Sequence, residues 1–119
     1  MDDERRQFNR YLLFTEIEHE DVAAHTEGHS KTKDISRGGL CITTEGAPLE
    51  KGAQYRLKFQ LPFNEREIVT TARVMWSRPD GDLFDNGLAF IDMEQPYLDL
   101  IEEYAIGSVE PPGNGSSQT

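Results

Sequence analysis

The residues best placed to do chemistry are Asp34-Ile35-Ser36-Arg37-Gly38-Gly39, which gather a carboxylate, a hydroxyl, a guanidinium and two glycines within six positions. The carboxylate accepts hydrogen bonds, the guanidinium donates charge-assisted ones, and glycine lets a backbone turn and come close to a ligand. A ligand that suits such a set carries both N–H donor edges and anionic groups. A purine nucleotide is of that kind. Guanine N–H donors match Asp34, with Ser36 beside it, while phosphate oxygens match Arg37 and backbone N–H groups such as that of Gly38. Asp-x-Ser before Gly-Gly is also ordinary turn chemistry, so the stretch alone leaves both readings open.

A second cluster lies upstream. Residues 2–10 are almost wholly charged or polar, with Phe8 the one apolar residue, and they hold Arg5, Arg6 and Arg10, three of the chain's 12 basic residues. Such a leader has nothing to bury and is expected to be a flexible arm until something binds it. Its arginines can grip phosphate bidentately and stack on a base, or can simply offset Asp2, Asp3 and Glu4 in solvent.

The elements that must position these residues are short strands. Tyr11 to Ile17 is aromatic and β-branched without Gly or Pro and predicts a strand; Val22-Ala23-Ala24 predicts a short second one. His29 to Ile35 leads into the Asp34 stretch, and Leu40 to Thr44 leaves it as another strand, ended by Glu45-Gly46-Ala47-Pro48. Tyr55, Leu57, Phe59 and Leu61 alternate with Gln54, Arg56, Lys58 and Gln60, the period of a half-buried strand. After Pro62-Phe63-Asn64, a long strand runs to about Ser77 with Ile68, Ala72, Val74 and Trp76 on one parity. That parity puts Trp76 in the core; a bulge would turn it outward, where it could stack on a guanine. Arg78-Pro79-Asp80-Gly81 predicts a hairpin break, Asn86-Gly87 a turn or bulge, and Leu88 to Ile91 a last strand. One helix follows, from Pro96 to a stop at Gly107, with Tyr97, Leu100, Ile101, Tyr104 and Ala105 on one face as a packing stripe. The sum is a mainly all-β chain, an antiparallel β-barrel with a terminal helix.

Arg6-Gln7-Phe8-Asn9-Arg10 reads R-x-x-x-R just before the first strand, and Asp34 to Gly39 reads D-x-S-x-x-G between later strands. This pair, in this order, resembles the PilZ domain, the bacterial receptor module for cyclic di-GMP. Leu40-Cys41-Ile42, Gly52, Val74-Met75-Trp76 and Gly87-Leu88-Ala89-Phe90 are similar to that family's strand pattern, and the likeness extends from about Glu4 to Gly107. The resemblance implies a six-stranded antiparallel barrel, residues 11–107, with the dinucleotide on its outside and a flexible arm 1–10 that folds over it; residues 108–119, rich in Pro, Gly and Ser with little to bury, are expected to be a disordered tail. It implies that Arg6 and Arg10 hold phosphates and guanine O6/N7, that Asp34 and Ser36 meet a guanine edge, and that Gly39 allows close approach. Arg5, immediately before the motif, points to a stacked pair of ligands in place of one. The output implied is a downstream protein partner in motility or biofilm regulation; a PilZ-like adaptor that binds only protein is the alternative.

Composition narrows the rest. At 119 residues the chain is one domain, and its net charge of −10 argues against a DNA- or RNA-binding surface. No apolar run suits membrane insertion, and the charged start is no signal peptide, so a cytoplasmic protein is expected. Lone Cys41 permits no disulfide and sits in an apolar strand as a buried, inert thiol. His19, His25 and His29 with Glu18, Glu20 and Glu27 lack the spacing of a compact zinc site, so no metal or cofactor is expected. No catalytic constellation assembles, and the chain is not expected to be an enzyme.

Overall fold

A computed structural model describes residues 9–62 and 64–109. Its strands are β1 (Tyr11–Leu12), β2 (Glu16–Asp21), β3 (Glu27–Ile35), β4 (Gly39–Glu45), β5 (Gln54–Gln60), β6 (Glu67–Asp80) and β7 (Leu83–Phe90), followed by helix α1 (Gln95–Val109). Every pairing is antiparallel, in the order β3-β2-β5-β6-β7-β4, and β4 pairs back onto β3. That closes a six-stranded barrel. β1 is an added strand on β3, with Tyr11 opposite Ile35 and Leu12 opposite Asp34. Closure leaves few unpaired strand edges, which a short all-β chain must otherwise protect.

The period-two pattern explains the core. Tyr55, Leu57 and Phe59 point inward from β5 while Gln54, Arg56, Lys58 and Gln60 face solvent. They meet Leu13, Ile17, Ile35, Leu40, Ile42, Ile68, Val74 and Leu88, and α1 adds Leu100 and Ile101, with Tyr97 and Tyr104 packed against them. Burying each large aliphatic side chain contributes about 1.5–3 kcal/mol. Of the buried polar residues, Asn86 is the least exposed and the most fully bonded. Asn86, fully buried, donates to the Ile42 carbonyl (3.1 Å) and Thr44 Oγ1 (3.0 Å) and accepts from Leu49 N (2.9 Å) and Ser77 Oγ (2.7 Å). With its donors and acceptor paired, it ties the β4–β5 connection to the barrel.

Several elements differ from the sequence expectation. Tyr11 to Ile17 is interrupted at Leu13 to Thr15, where the Thr32 hydroxyl donates to the Leu13 carbonyl (2.6 Å) and accepts from Thr15 N (2.9 Å). β2 then runs through Glu18 to Asp21, with Glu18 exposed and His19, Glu20 and Asp21 half-buried. Val22 to Ala24 is a turn and no strand: Asp21 Oδ1 accepts from the backbone N–H groups of Ala23 and Ala24 (2.9 and 3.0 Å). β6 continues through Pro79 to Asp80, and the break falls at Gly81 (φ 63°). Asn86-Gly87 lies within β7, and α1 passes Gly107 to reach Val109. Among the described residues no helix is long and apolar enough to cross a membrane.

Candidate functional site

Two strands flanking the β4–β7 pair each carry a bulge. In β3 the register shifts between Thr32 and Asp34, so Lys33 and Asp34 both leave the inward face that buries Thr32 and Ile35. In β6 it shifts between Val74 and Trp76, and Met75 and Trp76 both turn outward. A bulge inserts one residue and re-aims its neighbours. The two bulges share one row across the barrel wall: Leu12, Asp34, Cys41, Gly87 and Trp76 are successive register partners. Cys41 and Gly87, the two smallest side chains of the row, make its floor.

At one end Arg10 closes on Asp34. Its Nε and Nη2 donate to Asp34 Oδ1 at 2.8 and 2.6 Å, with the carboxylate 24% exposed. The last arginine of R-x-x-x-R and the first residue of D-x-S-x-x-G, 24 positions apart, are therefore in contact. Arg5 and Arg6 lie outside the described residues.

The turn after β3 is organised from within. Ser36 N donates to the Gly39 carbonyl (2.8 Å), and the buried Ser36 Oγ accepts from Gly38 N (3.2 Å). A Cβ on Gly39 would overlap the Leu88 carbonyl oxygen, so the close approach this glycine permits here is to β7. Arg37 points out of the turn and pairs with Glu102 of α1 (3.1 Å). Tyr104 Oη, two residues along the helix, donates to the Leu12 carbonyl.

At the other end Trp76 is 40% exposed, which corrects its assignment to the core. The inserted Met75 reverses the parity it would share with Val74. The indole lies across Gly87, where any Cβ would collide with it, and the Arg78 guanidinium lies over the ring with Cζ 5.1 Å from its centroid. Between the ends, Lys33 Nζ donates to Asp85 (2.8 Å) and Asp80 (3.2 Å), and these carboxylates raise its pKa. Burial, reinforced by the nearby charges of Asp34 and Asp85, pushes the Cys41 thiol up to about 11. It is a protonated, 3% exposed floor residue and no nucleophile. Among the described residues no cluster of His, Cys, Asp and Glu could hold a metal ion.

The PilZ domain model matches residues 4–107. This chain belongs to the PilZ domain family. Solved structures with the same fold include the Bacillus subtilis inhibitor of motility MotI/DgrA, at 23% identity and TM-score 0.75, covering 87% of this chain and 50% of that one. The PilZ domain of Escherichia coli YcgR, solved with c-di-GMP, matches at 12% identity and TM-score 0.65, covering 87% and 91%. The Klebsiella pneumoniae MrkH–c-di-GMP complex matches at 18% identity and TM-score 0.71, covering 86% and 51%. The chain thus spans about half the length of MotI/DgrA. No curated protein is matched by the sequence.

In this PilZ domain the structure brings Arg10, Asp34, Ser36, Arg37, Gly38 and Gly39 to one side of the barrel and places Trp76 on the same row. What sequence reasoning missed is the second flank: Lys33 with Asp85, and Arg78 with Trp76. The signal for Arg78 was present in Trp76-Ser77-Arg78, an aromatic and a cation at the spacing of one strand face.

Proposed function

We propose that this PilZ domain is a cytoplasmic receptor for cyclic di-GMP, not an enzyme, and that it signals to a protein partner. The observation that carries the reading is the Arg10–Asp34 contact, which joins the two motifs into one site. Arg10 and Arg6 hold phosphate and the O6/N7 edge of a guanine, and Asp34 accepts from a guanine N–H edge. Ser36 and Gly39 shape the turn beside that base, and Arg37 and the Gly38 backbone N–H stand next to the anionic ring. Arg5 extends the basic leader toward a second, stacked ligand. Charge-assisted bonds of this kind contribute roughly 1.5–3 kcal/mol each. Several of them suffice for the about 8 kcal/mol of micromolar binding after the leader is ordered.

Ordering of residues 4–10 over the ligand changes the surface a partner meets, and the partner's preference for that surface is what converts binding into output. A net charge of −10 disfavours DNA as that partner. The likeness to an inhibitor of motility suggests a motility protein instead. Isothermal calorimetry with cyclic di-GMP tests the reading and counts the ligand: binding with two nucleotides per chain is expected. No heat at any concentration up to the millimolar range would leave the protein-only adaptor as the better account.

A further inference from the structure

The bulge in β3 sets two side chains of opposite charge next to each other on the outer wall. Thr32 points inward, where its hydroxyl bonds the Leu13 carbonyl and Thr15 N, and Ile35 is buried in the core. Lys33 and Asp34 stand between them, and both leave the inward face. A lysine beside it on one face is a ready partner for the Asp34 carboxylate. The structure sends the two apart. Asp34 meets Arg10, which precedes β1 on one edge of β3, at 2.8 and 2.6 Å. Lys33 crosses β4, on the other edge, and meets Asp85 of β7 at 2.8 Å.

Asp85 is placed to hold that lysine. Its side chain is 3% exposed, Lys33 is its only ion-pair partner among the described residues, and its Oδ1 has no hydrogen-bond partner there. A buried carboxylate so short of partners holds a cation far more firmly than an exposed one. Asp80, 59% exposed and 3.2 Å from Lys33 Nζ, adds little. Without Asp85 the flexible lysine stem is free to turn back on Asp34, in competition with Arg10 and with any ligand donor.

We propose that Asp85 is a positioning residue of the nucleotide site: by holding Lys33 across β4, it keeps this cation off Asp34 and reserves that carboxylate for Arg10 and the ligand. The proposal rests on the receptor reading above and adds to it a residue from outside both motifs. Asp85 touches no ligand itself; it acts through Lys33.

The test compares wild type, Asp85→Asn and the double variant Asp85→Asn/Lys33→Met, first ligand-free and then titrated with cyclic di-GMP by calorimetry. The Nε–H signal of Arg10 reports its pairing with Asp34 before any nucleotide is added. In Asp85→Asn that signal is expected to move, and binding to weaken about fivefold to tenfold. Removing the freed lysine in the double variant should return both to within about twofold of wild type, which loss of packing alone would not produce. Tighter binding in Asp85→Asn would make Lys33 a direct phosphate contact and overturn the proposal. So would an unmoved Arg10 signal with unaltered affinity, or a double variant no better than the single one. If the wild type binds no nucleotide the receptor reading falls, while the Arg10 signal still decides whether Asp85 guards Asp34.

Discussion

The barrel wall has two contrasting faces. Across β2, β5 and the first half of β6 the registers are unbroken, and exposed polar residues such as Glu18 and Lys58 face each other as a solvated ladder. Across β3, β4, β7 and the second half of β6, two bulges break the pleat and the wall between them is floored by Cys41 and Gly87. The regular face serves packing on its inner side and solubility on its outer side. The irregular one gathers Arg10, Asp34, Lys33, Trp76 and Arg78 around a shallow floor. Departure from the ideal sheet therefore marks where the proposed chemistry sits.

Breaking the irregular face at its tightest point should have the largest effect. Gly39→Ala drives a Cβ into the Leu88 carbonyl, a backbone group that cannot step aside. A loss of about 2–3 kcal/mol is expected in urea unfolding. Removing a ligand group and keeping the floor separates binding from stability: Arg10→Ala and Asp34→Ala should each weaken cyclic di-GMP binding at least tenfold with circular dichroism unchanged. Gly87→Ala sharpens the contrast further. Its new methyl displaces the Trp76 ring, a side chain that can move, so altered tryptophan emission and a fewfold loss of affinity are expected with little loss of stability.

The regular face should answer to pH and not to nucleotide. His19, whose Nε2 lies 2.9 Å from Ser30 Oγ, has its pKa lowered below 6.5 by burial and then by the charge of His29. The folded chain holds it neutral while the unfolded chain takes up a proton near 6.5, so its contribution is present above that pH and falls away below it. Urea midpoints at pH 7.5 and 5.5 should differ, and His19→Gln should narrow the difference. The smallest effect belongs to Lys58→Ala. Its partner Glu18 is 3.8 Å away in solvent, so stability should hold within about 0.5 kcal/mol and nucleotide affinity should be unaltered.

How much the sequence revealed follows the same division. The alternation from Gln54 to Leu61 predicted β5 residue by residue, because an unbroken strand with one wet face repeats every two positions. D-x-S-x-x-G and Arg10 were legible as chemistry, and their contact followed from chain order and family likeness. Trp76 was not. A one-residue insertion inverts every side chain beyond it, and nothing in Val74-Met75-Trp76 marks Met75 as the extra residue. Asn86-Gly87 carries the composition of a turn but lies within β7, one residue buried as a hydrogen-bond hub and the other kept bare for an indole. Lys33–Asp85 and Arg37–Glu102 join residues more than 50 positions apart, and no local pattern announces them.

The central claim is that the bulged face, with Arg10 and the Asp34 turn at one end, receives cyclic di-GMP. The most direct measurement is a two-dimensional NMR titration of the labelled chain with that nucleotide. Shifts confined to residues 4–10, Asp34 to Gly39 and the neighbourhood of Trp76, with Glu18, Arg56 and Lys58 still, are the predicted result. Saturable shifts centred on β2 and β5, or none anywhere, would contradict it.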